Sequence, residues 1–221
     1  TAVASTVTGQ SVSVVATGAG AESNIRIVGS DVGGTQSTSL KADNQVIIES
    51  AQSTTLDASN NKSSGWNAGI VASTQGIGIT AGGNLGKGRS NGESVSQRNS
   101  HVGTVGGLTT VESGGTTTLA GGQLIGKRVE LDAAELNIES RQDTSIYTSK
   151  QRDISGQVTF GAGVSVSGSY SKSNTNADYA SVNEQSGIMA GDGGYTVNVT
   201  NKTSLNGGII TSTQAAEDAG L

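Results

Sequence analysis

The chain has 221 residues with 34 Gly, no Pro, no Cys and a formal charge of −5 from 13 basic and 18 acidic residues. Missing Cys excludes a disulfide scaffold, a Cys-based zinc site and a thiol enzyme, and the thin spread of Lys and Arg leaves no basic stripe for nucleic acid. With 31 Ser, 25 Thr and 3% aromatic residues the composition leans towards disorder, but the total absence of Pro fits a chain that is nearly all strand and tight turn.

In chain order, no Lys/Arg-then-apolar signal segment opens the sequence, and no apolar run approaches the ~20 residues of a membrane-spanning helix. The chain, from Thr1 to Leu221, is expected to be a piece of a larger exported protein. The first clear strand-like run is Val46–Gln52, which realigns as Leu136–Gln142 at an offset of 90. An excursion over residues 63–98 follows, in which Trp66, Ala68, Ile70 and Ala72 alternate before a Gly/Ser/Asn-rich tip at 82–91. Then Thr110–Leu124 begins a second copy and realigns, without a gap, as Thr196–Ile210 at an offset of 86. A second excursion occupies residues 150–185, with Val158, Phe160, Ala162, Val164 and Val166 in alternation and a tip at 167–176. One 1–221 fragment is thus expected to hold two copies of a unit, about 25–100 and about 102–212.

Within the second copy the apolar beats fall at Val111, Leu119, Leu124, Val129, Leu131, Leu136 and Ile138. Strand-length beats, Gly turns and a return every ~20 residues indicate a solenoid. Alternation such as Val129-Glu130-Leu131 sends apolar side chains inward and polar ones to water. No 3.6-residue stripe survives the Gly and β-branched content, so the fold class is all-β: a parallel β-helix of about seven coils with two extruded β-hairpins. The chirality of parallel crossovers makes it right-handed.

Candidate sites are few. Glu49 and Glu139, with Asp132 and Asp143 nearby, are the carboxylates a glycosidase of β-helical type would need. Glu49 and Glu139 are repeat equivalents, however, and read as outward strand residues. His101 is the only His, and its repeat counterpart is Gly187, so neither a triad nor a His-based metal site is expected. Gly191-Asp192-Gly193-Gly194 reads as a turn needing positive φ rather than a calcium site, and Gly82–Arg89 lacks the ending of a phosphate loop. No catalytic residue, metal or cofactor is expected. The excursions remain. Val158, Phe160, Ala162, Val164 and Val166, with Trp66 and Ile70, form the candidate membrane-contact face: either it packs on the solenoid's flank, or it enters an outer membrane, whose barrel strands need ~9–11 alternating residues.

Several runs carry a resemblance. Ile27–Asp31, Ile138–Asp143, Tyr147–Gln151 and Ser169–Asn174 resemble the haemagglutinin repeats of large Gram-negative exoproteins, as do Asn176–Ala180, Glu184–Ile188, Ala190–Gly194 and Leu205–Ser212. That family leaves the cell by two-partner secretion and includes filamentous haemagglutinin and the contact-dependent growth inhibition (CdiA-type) effectors, to which the block 176–212 is most similar. The resemblance implies a right-handed β-helix, an outer-membrane transporter of the producing cell as partner through a domain outside this piece, and action at the target cell's outer membrane for toxin delivery. The alternative it leaves is an adhesin shaft. A polysaccharide-active enzyme is a remote third.

Overall fold

A computed structural model describes residues 2–74, 76–161 and 163–221. The strands, in chain order, are β1 (Thr6–Ala16), β2 (Ile25–Val28), β3 (Asp31–Ala42), β4 (Val46–Glu49), β5 (Ala51–Ser73), β6 (Gly76–Arg98), β7 (Ser100–Ala120), β8 (Gly122–Glu139), β9 (Asp143–Phe160), β10 (Val164–Ser181), β11 (Gly187–Ala190), β12 (Tyr195–Asn206) and β13 (Ile209–Thr211). One short helix, α1 (Gln214–Asp218), follows, its first turn capped by the Thr213 hydroxyl accepting from the Ala216 N–H. The chain divides into two units. The first holds residues up to Ser53, Val95–Asp143 and Ala180–Leu221; the second holds Thr54–Ser94 and Thr144–Tyr179.

The first unit is the parallel β-helix that the beats predict. Every pairing in it is parallel, β1 on β3, β3 on β7, β7 on β8 and β8 on β11 and β12, while β2 pairs β4 and β4 pairs β7. Each coil therefore lies on the one before it. Inward side chains stack in ladders: Ile27 on Ile48, Ile48 on Leu119, Leu119 on Ile138, Ile138 on Leu205. A second ladder runs Val14, Leu40, Val111, Leu131, Val197. Leu40, Val111, Leu119 and Leu131 are fully buried, which is how a thin interior forms without aromatic residues: each aliphatic side chain meets its equivalent one coil away at the ~4.8 Å strand spacing. Polar side chains inside are satisfied. Thr117, fully buried, bonds the Ser113 hydroxyl at 2.8 Å, and Thr109 donates to the Ile125 carbonyl at 2.6 Å.

The register explains the two sequence offsets. Val111 and Val197 both lie against Leu131, so the copies offset by 86 sandwich one coil. Val46 lies against Thr117 and Thr117 against Leu136, so the copies offset by 90 stand two coils apart. One corner recurs in every coil. Where β7 meets β8 it is the single residue Gly121, and Gly207 turns the same corner one full repeat later; their φ values of +77° and +65° are ones that L side chains rarely adopt. The acidic turn ends likewise on Gly194, at φ +68°, with its N–H on the Gly191 carbonyl at 3.0 Å.

Gly29 turns the same corner between β2 and β3, at φ +51°, and the two remaining occurrences, between Glu49 and Ser100 and between Glu139 and Gly187, carry the excursions. Their strands open at Ala51 and Asp143 rather than at residues 63 and 150. The longer excursions leave the β-helix five coils and the β13 start of a sixth instead of about seven. The expected tips also move. Residues 82–91 lie inside β6 and residues 167–176 inside β10; the chain reverses between Ser73 and Gly76 and between Phe160 and Val164. Gly and Ser crowd those strands because one of their faces is lined with small polar residues, not because the chain turns there.

The second unit is one four-stranded sheet in the order β5-β6-β9-β10. Gly65 faces Asn84 and Gly82 faces Asn67, which makes β5 and β6 antiparallel. Gly78 lies at Phe160 and Gly92 at Tyr147, so β6 and β9 are antiparallel as well. The sheet is two hairpins, β5–β6 and β9–β10, side by side, with strands of 18 to 23 residues.

Candidate functional site

A strand sends alternate side chains to opposite faces, so the register of the second unit sorts every residue. One face is small and polar. Thr80 accepts from Gln157 Nε2 at 2.8 Å and from the Thr159 hydroxyl at 3.2 Å. The Ser63 and Asp153 side chains lie over Gly86, Asn67 over Gly82 and Asn61 over Gly88. Ser155 and Ser169 share a hydrogen bond at 2.7 Å. The intervening positions make the other face, whose turn end is apolar: Trp66 and Ile70 on β5, Ile77 and Ile79 on β6, Phe160 on β9, Val164 and Val166 on β10. None of these is covered. Trp66 is 85% exposed, Ile70 78%, Phe160 59% and Val166 75%. A sheet with one apolar face normally buries it against a second layer. Among the described residues this unit has no such layer, and its buried residues are Gly78, Thr80 and Gly88.

The structure brings the predicted face together differently from its sequence order. Val158, half-buried, and Phe160 end β9, while Val164 and Val166 begin β10. They are therefore two facing pairs across a reversal, not one nine-residue strand. Gly161 N–H on the Gly163 carbonyl at 3.0 Å helps to close that reversal. Ala162 lies outside the described residues. Trp66 and Ile70 extend the same face across the sheet, and Ile77, Ile79 and Leu85 of β6 complete it; the sequence reading missed these three because it ended the alternation at Ala72 and placed a tip over Leu85.

The four candidate carboxylates, all in the first unit, are each occupied. Glu49 pairs with Arg26, Glu139 with Arg141 at 3.3 Å, and Asp132 accepts from Asn198 at 2.8 Å. Asp143 accepts from the Gln97 N–H at 2.6 Å and from Asn183. Glu49 and Glu139 stand two coils apart on one outward row, with Ala120 between them. Among the described residues no group of three His, Cys, Asp or Glu is placed to hold a metal.

His101 is more engaged than its solitary place in the sequence suggests. Its Nδ1 meets Asp31 Oδ1 at 2.8 Å and its Nε2 meets Glu184 Oε1 at 2.6 Å, while Arg98 closes on Asp31 at 2.8 Å. Partial burial opposes its charge, but the hydrogen bonds to Glu184 and Asp31 outweigh that and raise its pKa above the ordinary value. Arg98, and then His101, hold the Asp31 carboxyl below the usual range against desolvation. Arg98 and Glu184 are repeat equivalents of opposite charge, a signal that the 86-residue alignment contains. Ser100 and Ser186 are another equivalent pair, both fully buried. Ser100 donates to the Glu49 carbonyl and accepts from Ser30 N–H; Ser186 donates to the Glu139 carbonyl and accepts from Gly121 N–H. Each ties a returning excursion to the coil it left.

The fold and its repeat agree with a family model for the hemagglutinin repeat, which matches residues 1–154. The chain belongs to the haemagglutinin-repeat family. Among the relatives of this repeat protein, a tRNA nuclease CdiA of Yersinia mollaretii is 37% identical over 95% of the chain, and a toxin CdiA of Escherichia coli 36% identical over 93%. A deoxyribonuclease CdiA of Yersinia pseudotuberculosis is 33% identical over 95%. The haemagglutinin-repeat chain spans only 7% of the length of each of the first two and 20% of the third.

Proposed function

We propose that this chain is a non-catalytic β-helical module of a CdiA-type exoprotein, and that its four-stranded sheet engages the target cell's outer membrane so that a toxin domain elsewhere in the protein can pass. The observation that carries the reading is the uncovered apolar face around Trp66 and Phe160, backed by a face of Gly, Ser, Thr and Asn. This is the two-sided pattern of strands that meet lipid on one side and water on the other. The absence of catalytic work is supported by the relatives: the same segment occurs in proteins named tRNA nuclease and deoxyribonuclease, so it does not set either chemistry. Export through an outer-membrane transporter of the producing cell belongs to the same reading.

Trp66 is the single tryptophan and lies on the face in question, so its fluorescence reports the event. On vesicles of outer-membrane lipid the protein is expected to co-float, with Trp66 emission moving to shorter wavelength. Phe160→Asp removes about 2 kcal/mol of apolar burial and adds roughly 2.5–3.5 kcal/mol for a carboxylate in hydrocarbon. It should abolish flotation while circular dichroism keeps its strand signal. Wild-type protein that neither floats nor shifts its emission would replace this reading with the adhesin shaft, which the continuous stacking of the coils favours.

A further inference from the structure

We infer that the apolar end of the sheet is bordered by a row of cations that dock on the phosphates of an anionic lipid surface. This rests on the membrane reading above and names what the membrane must offer. The second unit has six cationic residues: Lys62, Lys87, Arg89, Lys150, Arg152 and Lys172. All six occupy positions of the same face as Trp66 and Phe160. The register places them closely. Arg89 Nε donates to Asn60 Oδ1 at 3.0 Å, Asn61 lies against Gly88 and Ser63 against Gly86, so the pair between those last two contacts is Lys62 with Lys87. Asp153 lies against Gly86 on the polar face, which sets Arg152 beside Lys87. The Ser155–Ser169 hydrogen bond of 2.7 Å sets Lys172 beside Arg152. Lys62, Lys87, Arg152 and Lys172 therefore run abreast, one per strand, and Arg89 and Lys150 stand in the next row away from the turns.

Like charges directly opposite one another on neighbouring strands repel. Here four stand in line at the ~4.8 Å strand spacing, and among the described residues none of the six forms an ion pair. Asp153 does not relieve them, because it points to the other face and accepts from Gln151 at 3.1 Å. Lys87, Gly88, Arg89, Lys150 and Arg152 line an open groove of about 310 Å³. A row assembled without internal counter-ions calls for anions from outside, and the apolar face beside it says which ones. From Ile77 to Leu85, the stretch of β6 between the turn and Lys87, the strand is about 30 Å long at ~3.4 Å per residue. Tilted as outer-membrane strands are, this matches an apolar band ~25 Å tall. Trp66, level with Gly83, lies one residue pair inside the cation end of that band, near the level that Trp favours in membranes. Anions packed along the edge of a hydrocarbon layer are lipid headgroup phosphates. A free phosphate or an acidic protein would leave the apolar face unexplained.

The test uses the purified chain with vesicles of phosphatidylcholine alone or with about 30% phosphatidylglycerol, each cation near the anionic surface contributing roughly fivefold in affinity. Wild type is expected to bind the anionic vesicles more tightly. The variant Lys87→Gln/Arg89→Gln/Lys150→Gln/Arg152→Gln should lose on the order of 1,000-fold of that affinity. Arg-for-Lys changes at 87 and 150 should keep it. Lys62→Gln/Lys172→Gln, on the two edge strands, is an independent arm expected to lose roughly 30-fold, and it decides the matter if the quadruple variant loses its strand signal. Neutralised variants that bind anionic vesicles like wild type overturn the inference. So does inorganic phosphate that displaces the protein beyond what chloride does at equal ionic strength, since that would be a discrete phosphate site. Wild type that binds both vesicle types equally, with the Trp66 shift, keeps the membrane reading and overturns the cation row. No binding to either vesicle overturns both.

Discussion

His101 ties three parts of the first unit, bridging Asp31 of β3 and Glu184, which precedes β11, from its own place in β7, with Arg98 on the far side of Asp31. Its pKa is raised from 6.5, so the stability it contributes is fully present below pH 6.5 and is lost as pH rises through the raised value. Asp31 works in the opposite sense. Its pKa is lowered from 3.8, so its contribution is present above 3.8 and is lost as pH falls through the lowered value. The two overlap between the windows, and the β-helix should be most stable in mildly acidic solution. Thermal melts followed by circular dichroism should show the midpoint falling from pH 6 towards pH 8, a trend that His101→Gln flattens. The effect is modest, since a third of the His101 side chain is exposed and solvent screens such pairs. A His101→Gln variant with the wild-type pH slope would mean that the imidazole is a spectator.

At the scale of the strand, inward and outward positions have opposite tolerances. Ile138 is enclosed between Leu119 and Leu205, whereas its neighbour Asn137 lies between Thr118 and Ser204 on the outer row. Ile138→Asp buries an uncompensated charge and should cost about 4 kcal/mol or more, while Asn137→Asp should stay within ~0.5 kcal/mol. Denaturation midpoints that move equally for the two would reverse the inside and outside assignments. These positions were legible in the sequence because Leu136-Asn137-Ile138-Glu139 alternates and repeats. The hairpin turns were not, for a geometric reason. Phe160 and Val164 flank a reversal short enough to keep the alternation in phase, so Val158, Phe160, Val164 and Val166 read as one strand although the chain folds back between them. The cations were illegible for a different reason. Residues 62, 87, 89, 150, 152 and 172 follow no local pattern, and only the register across four strands aligns them. The His101 bridge likewise joins partners 70 and 83 residues apart.

At the scale of the whole molecule, the buried apolar cluster among the described residues belongs to the β-helix: Leu40, Ile48, Leu119, Leu131 and Ile188 are all in the first unit. Among the described residues the sheet adds no large buried side chain, so the β-helix does not depend on it for a core. The corners point the same way. A short turn at Gly29, Gly121 or Gly207 joins successive coils at the corner where two other connections carry excursions, and a chain-closure cost that grows only as the logarithm of length tolerates such insertions. The strand feet are also fastened within the first unit, where Ser50 Oγ donates to Gln97 Oε1 at 2.7 Å and Asp143 accepts from both Gln97 N–H and Asn183. Replacing residues 54–94 and 144–179 by short Gly/Ser links should therefore leave a cooperatively melting β-helix, with a midpoint within a few degrees of the full chain's and no vesicle binding. Circular dichroism and flotation measure the two halves of that expectation separately. If the shortened chain fails to fold, the coils need the sheet after all, and the division of labour between a stacked scaffold and a membrane-facing sheet is lost. If it folds and still floats, lipid contact resides on the coils, and neither the Trp66 face nor the cation row is its cause.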